Sequence, residues 1–181
     1  MFAADRDICN PIPSVSTTSI QPDLSTEIGL IQAWQYIRKM DLSRIMDRFV
    51  DYHCWLRSDV EDIARHYRHF LYLKKKYGHQ HKLPPSVELD EFWHAHILDT
   101  EKYREDCCNI FGHYLDHYPY FGVDGKSDFD DLRRGFDILQ ELLQKEFGEQ
   151  LRCYRGSVKR LSSTLKKMTK KLHPVYMKNN L

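Results

Sequence analysis

Between Asp90 and Gly122 the chain concentrates side chains that can do chemistry. The run Asp90-Glu91-Phe92-Trp93-His94-Ala95-His96 continues through Tyr103, Asp106, Cys107 and Cys108. It closes with His117-Tyr118-Pro119-Tyr120-Phe121-Gly122. His94, His96, His113 and His117 fall inside it, out of ten histidines in the chain, with two of the five cysteines. Imidazole, thiolate and carboxylate are the groups by which proteins hold transition metals. A site for a divalent transition metal is therefore the first chemistry to weigh.

Spacing decides which of these residues can act together. At about 100° per residue, with Asp90 set at 0°, Phe92, Trp93, Ile97, Tyr103, Cys107, Ile110 and Phe111 share one arc, which faces the core. His96 falls at roughly 240°, inside that arc, and His94 at roughly 40°, on its edge near Asp90 and Glu101. The two histidines are then about 200° apart, so an unbroken helix cannot aim both at one ion. Either one of them is the ligand, or the helix is distorted there. Asp90, four residues before His94, is placed to be a second ligand or an orienting acceptor. His117, in the loop that follows, can return toward either. The candidate metal ligands are thus His94, His96, His117 and Asp90. The plainer reading is that these histidines are hydrogen-bonded core and rim residues, since a buried imidazole needs a partner in any case.

Other reactive residues carry weaker signals. His113 reads as solvated and Cys107 as a small core hydrophobe. His66 and His69 lie at the margin of a helix that ends in Lys74-Lys75-Lys76, and they read as part of a solvated face, with His79 and His81 following in a loop. Glu91 and His94 form one ExxH pair, whereas di-iron bundles use two. GxxxxGK, HExxH, GxSxG and GxGxxG are all absent, which removes the common nucleotide, zincin and hydrolase readings. No catalytic residue can be assigned, and whether the protein is an enzyme stays open.

The elements that must position these residues are helical. Ser25 caps a helix over about 26–39, and Asp41 a second carrying Leu42, Ile45, Met46, Phe49 and Leu56. Ser58-Asp59-Val60-Glu61 fits a capping box opening a third, about 59–77, with Val60, Ile63, Ala64, Tyr67 and Leu71 inward and Gly78 as its stop. Pro84-Pro85 enforces extended backbone before Ser86 caps the central helix, about 87–111. An irregular loop over 113–126 leads to a fifth helix capped by Ser127, with Phe129, Leu132, Phe136, Leu139 and Leu143 inward. No strand alternation appears. The expectation is an all-α fold of about five packed helices, plus a basic amphipathic C-terminal helix.

The chain of 181 residues suits one domain with tails: a mobile arm over 1–24, a helical domain over 25–154, and a basic helix or tail over 155–181. The tail holds eight Lys/Arg and no acid, which leaves 19 basic against 26 acidic residues before it, a net of −7. Val158, Leu161, Leu165, Met168 and Leu172 form an apolar stripe among its lysines. Over 157–172 it suits an acidic protein or an anionic surface, whereas nucleic acid is disfavoured because aromatics are not interleaved with the basic residues. Such docking, with the histidines purely structural, is the alternative function. An odd cysteine count without CxxC spacing points to a reducing compartment, hence the cytoplasm. The N-terminus shows no apolar signal core, and no apolar run is long enough to span a membrane.

Several runs together resemble the glycine-rich domain-containing protein-like family, in its short bacterial form. They are Phe70-Leu71-Tyr72-Leu73-Lys74-Lys75-Lys76-Tyr77, Pro85-Ser86, Asp90 to Thr100, Tyr103, Asp106-Cys107, Phe111-Gly112 and His117 to Gly122. The resemblance covers about 26–150. Bacterial members tend to carry His-His before the Pro-Tyr-Phe-Gly, where this chain has Asp116-His117. The resemblance marks these residues as special without implying a reaction.

Overall fold

Helix α3 is the element the others pack around. The structure, a computed structural model, describes residues 24–152. Six helices run in order: α1 (Leu24–Lys39), α2 (Ser43–Asp51), α3 (Arg57–Tyr77), α4 (Val87–Leu98), α5 (Thr100–Phe111) and α6 (Lys126–Phe147). α3 touches α1, α2, α4 and α6, while α5 is held between α1 and α4. Among the described residues there is no strand, so the all-α expectation is met. No described helix is long and apolar enough to cross a membrane.

The core follows from the predicted stripe and then exceeds it. Val60, Ile63, Ala64, Tyr67 and Leu71 are all buried, and Phe70 and Leu73 join them because α3 is covered on more than one side. Each large side chain so removed from water contributes about 1.5–3 kcal/mol before entropy is set against it. Leu42, Ile45 and Phe49 enter the same core from α2, as do Leu139 and Leu143 from α6. The N-terminal arm and the basic segment at 155–181 lie outside the described residues, apart from Leu24.

Helix starts account for most departures from expectation. α3 begins at Arg57 with Leu56 in the cap position, so Ser58 and Glu61 are already inside the helix and their box does not form. Leu56 itself is exposed, because α2 ends at Asp51 and Cys54 turns the chain at φ 55°. Ser86 does cap α4, its Oγ accepting from the Leu89 amide at 3.3 Å. At α6 the cap position is Gly125 rather than Ser127. Asp128, in the first turn, reaches back to accept from the amides of Gly122 (2.5 Å) and Asp124 (3.2 Å).

The single central helix of the sequence reading is two helices. Asp99, at φ −83° and ψ 71°, leaves the helical region. Its amide still bonds the His96 carbonyl (3.1 Å), and its own carbonyl accepts from the Tyr103 amide (2.8 Å). One residue thus ends α4 and starts α5, which is why the count is six and not five. No glycine or proline marks the break. The angular projection holds within α4 but cannot be carried across Asp99, so Glu101 loses the alignment with Asp90 and His94 that it gave.

Candidate metal centre

Three of the four sequence candidates meet at one point. Asp90 and His94 stand one turn apart on α4, and His117 returns from the loop after α5. His117 Nε2 lies 2.9 Å from Asp90 Oδ1 and 3.2 Å from His94 Nε2. His94 Nε2 lies 3.6 Å from Asp90 Oδ2. Ligand atoms of all three fall within 4.8 Å of one another, and among the described residues no other group of histidine, cysteine and acid does so. The group grades from rim to interior: the His94 side chain is 47% exposed and that of His117 13%.

A chain of hydrogen bonds fixes the arriving loop. Trp93 Nε1–H on α4 donates to Tyr103 Oη on α5 at 3.0 Å. The Tyr103 hydroxyl donates in turn to the Leu115 carbonyl at 2.7 Å, two residues before His117. The Trp93 ring also meets the His117 ring edge-on, with centroids 4.6 Å apart. At the loop's far end Gly122 holds φ at 93°, and a Cβ there would come within 2.8 Å of Leu132 Cδ1. The left-handed turn therefore requires glycine, both for its backbone angle and for the close approach of α6.

The fourth candidate, His96, is placed elsewhere. It is buried, with Nδ1 2.8 Å from the Tyr67 hydroxyl and Nε2 2.9 Å from Asp106 Oδ2. The Tyr67 hydroxyl and Nδ1 share one hydrogen bond, and Nε2 faces the Asp106 carboxylate across the core. Asp106 Oδ1 accepts from the Tyr36 hydroxyl (2.6 Å) and from Lys102 Nζ (3.2 Å). Burial works to raise the Asp106 pKa, but the bonds from His96, Tyr36 and Lys102 outweigh it and hold the carboxyl below its usual range. The inward projection of His96 is thus met, and its role is to tie α4 to α3 and α5. Cys107 is buried, and desolvation pushes its thiol pKa up, as suits a small hydrophobe. His113 is exposed.

His66 and His69 depart from the solvated face expected of them. His66 is 1% exposed, because neighbours on several sides of α3 widen its buried arc beyond the apolar stripe. His69 stacks on Phe147 at 3.8 Å, nearly parallel. Glu149 contacts both His69 Nδ1 and the Arg65 guanidinium. The charge of Arg65 answers that of Glu149, and burial, with Arg65 next, depresses both histidines to about 4. Both histidines are neutral near pH 7, and His69 with Arg65 fastens Glu149, two residues past the end of α6, to α3.

A cleft of about 600 Å³ opens beside the three-residue group, and Asp90 and His117 are part of its wall. Trp93, Tyr118, Phe121 and Leu132 supply apolar surface, and Lys74 and Lys82 supply charge. Lys74 was not singled out among the site residues. The signal was present: its position continues the Tyr67, Leu71 spacing, which places it on the buried side of α3.

None of the curated proteins and none of the solved structures matches this chain. The resemblance to the glycine-rich domain-containing protein-like family is overturned by the family match, which falls to a different family. The resemblance rested on short motifs, and Trp93, His96, Asp106 and Cys107 among them are buried core positions. The matching family is described as UCP032817-like, a description that names no activity, and the match covers residues 31–147, from within α1 to the end of α6. It includes Asp90, His94 and His117, and with more than half its length matched the chain belongs to the UCP032817-like family.

Proposed function

We propose that this module holds one divalent transition metal through His94 Nε2, His117 Nε2 and an Asp90 carboxylate oxygen, with a further coordination position turned to the cleft. The observation that carries this is the spacing of the three ligand atoms. Donors bound at about 2.0–2.1 Å to a tetrahedral ion stand roughly 3.3–3.4 Å apart. His117 Nε2 stands 2.9 Å from Asp90 Oδ1 and 3.2 Å from His94 Nε2, close to that edge length, while His94 Nε2 is 3.6 Å from the other carboxylate oxygen, Oδ2; one ligand atom from each residue lies within 4.8 Å of the others. Two imidazole nitrogens that face each other also gain more from a shared cation than from one shared proton, since each then uses its lone pair.

Two imidazoles and one carboxylate suit zinc, and with open positions also non-haem iron(II). Three protein ligands leave room for water or for a ligand entering from the cleft, unlike the closed four-ligand sets of structural zinc sites. The test is zinc titration of tag-free, chelator-treated protein beside a His94→Ala/His117→Ala variant, followed by metal analysis after gel filtration. One zinc per chain in the parent and none in the variant is the expected result. Equal, negligible zinc in both removes the proposal and leaves an Asp–His–His hydrogen-bond cluster.

A further inference from the structure

The wall of the cleft carries two ammonium groups that no carboxylate answers. Lys74 and Lys82 both line it, and among the described residues neither forms an ion pair. By contrast Lys76, two residues on, is paired with Glu146 at 2.8 Å. Lys74 is half-buried, with Nζ 5.6 Å from the Phe70 ring centroid and 5.7 Å from that of Trp93. Lys82 Nζ sits 4.9 Å from the centroid of Phe121. Aromatic faces attract such cations but do not neutralise them. Desolvation lowers the Lys74 pKa, and no facing anion restores it. The acids on the cleft wall are Asp90, held by His117, and Asp116 on the exposed rim.

We infer that the cleft binds a small organic acid, whose oxyanion meets the Lys74 ammonium and whose apolar body lies against Trp93, Tyr118 and Phe121. Size, wall and charge agree on this class. A cleft of about 600 Å³ suits a small molecule, its walls are largely aromatic and aliphatic, and its half-buried unpaired charge, Lys74, is positive, the exposed Asp116 and Lys82 at the rim being of opposite sign. A half-buried ammonium without a counter-ion gains from an incoming anion what a solvated surface lysine does not. Lys82, exposed at the mouth, draws the acid in and adds less to its hold. The inference shares its cleft with the proposed metal site and deepens that reading by naming the ligand class, but the Lys74 contact does not need the metal.

Benzoate, phenyl phosphate and the uncharged benzyl alcohol are titrated into the full chain after chelator treatment, with binding followed by NMR. The better acid is expected to bind at least tenfold more tightly than the alcohol, and which acid is tighter tells carboxylate from phosphate. Lys74→Met should reduce acid binding to the alcohol's level with the alcohol unaffected, while Lys74→Arg retains the preference. Thermal melts of each variant confirm folding, with Lys74→Gln replacing Lys74→Met if the latter does not fold. An acid no tighter than the alcohol overturns the inference. So does a preference that survives loss of the lysine, or one that appears only with zinc bound. The metal reading is scored separately: Lys74→Met should still take up one zinc, and His94→Ala should still prefer the acid.

Discussion

Replacing Asp106 should cost this domain a large part of its stability. The side chain is buried and is shared by three partners, the Tyr36 hydroxyl at 2.6 Å, Lys102 Nζ at 3.1 Å and His96 Nε2 at 2.9 Å, and Tyr67 is joined to it through His96. Asp106→Ala removes the carboxylate that faces the buried His96 Nε2 and strands the Lys102 charge beside it. Removing one partner from a buried ionic cluster costs about 3–5 kcal/mol. Hydrogen bonds to a charged group contribute about 1.5–3 kcal/mol each, so losing Tyr36 and Lys102 together reaches the same range. Against a total of about 5–15 kcal/mol, this is a substantial fraction. Urea unfolding should show the midpoint falling by about 2 M, for a slope of about 1–3 kcal/mol per M. Tyr36→Phe should cost less, and the double variant should lose less than the sum, with a coupling of about 0.5–3 kcal/mol. Acidification supplies a second arm. The folded pKa of Asp106 is lower than its unfolded value, so its contribution is complete above about pH 4 and is lost as pH falls through the folded pKa. That slope should vanish in Asp106→Ala. A loss below about 1 kcal/mol, or an additive double variant, would refute the claim that this carboxylate binds α1, α4 and α5 together.

Other predictions are shorter. His66 titrates at about 4 when folded and near 6.5 when unfolded, so the unfolded chain takes up its proton first. Stability should therefore decline between about pH 6.5 and 4, by on the order of 3 kcal/mol at most for this residue. His66→Gln should flatten the slope there in pH-dependent urea melts. A Cβ at Gly135 would lie 2.7 Å from the Lys82 carbonyl oxygen and Pro84 Cδ, so Gly135→Ala should push α6 off the cleft wall at a cost of about 1–3 kcal/mol, read by thermal melting. Zinc at a hundredfold excess over its dissociation constant should stabilise the domain by about 2.7 kcal/mol, reversed by chelator. In Asp90→Asn that gain should shrink, and an undiminished gain would place the ion elsewhere.

Periodicity made the helices readable and angle made the buried histidine readable. Val60, Ile63, Tyr67 and Leu71 recur as an amphipathic helix must, and the inward angle of His96 depends only on residues of α4 itself. Split pairing was legible for the same reason: His94 and His96 point apart, and only His94 stays with Asp90. What failed needed information from outside the segment. The break at Asp99 has no glycine or proline behind it, so only packing of α4 and α5 against different neighbours imposes it. The burial of His66 depends on helices far away in sequence. The return of His117 depends on Trp93, Tyr103 and Leu115, three residues whose contacts no local pattern encodes. Lys74 was hidden by its company, since a run of three lysines looks solvated even when the first belongs to the buried stripe.

The position of Trp93 makes the protein its own optical probe. Its indole meets the His117 imidazole edge-on at 4.6 Å and has the Lys74 ammonium 5.7 Å from its ring. A single chromophore thus borders both the proposed metal ligand and the cation proposed to meet an acid. Indole emission responds to nearby charge and to protonation or metallation of an adjoining imidazole. The chain has two further tryptophans, Trp34 and Trp55, and phenylalanine at both would leave Trp93 alone to emit. Occupancy of either part of the cleft then becomes a change of colour or brightness, with no label attached.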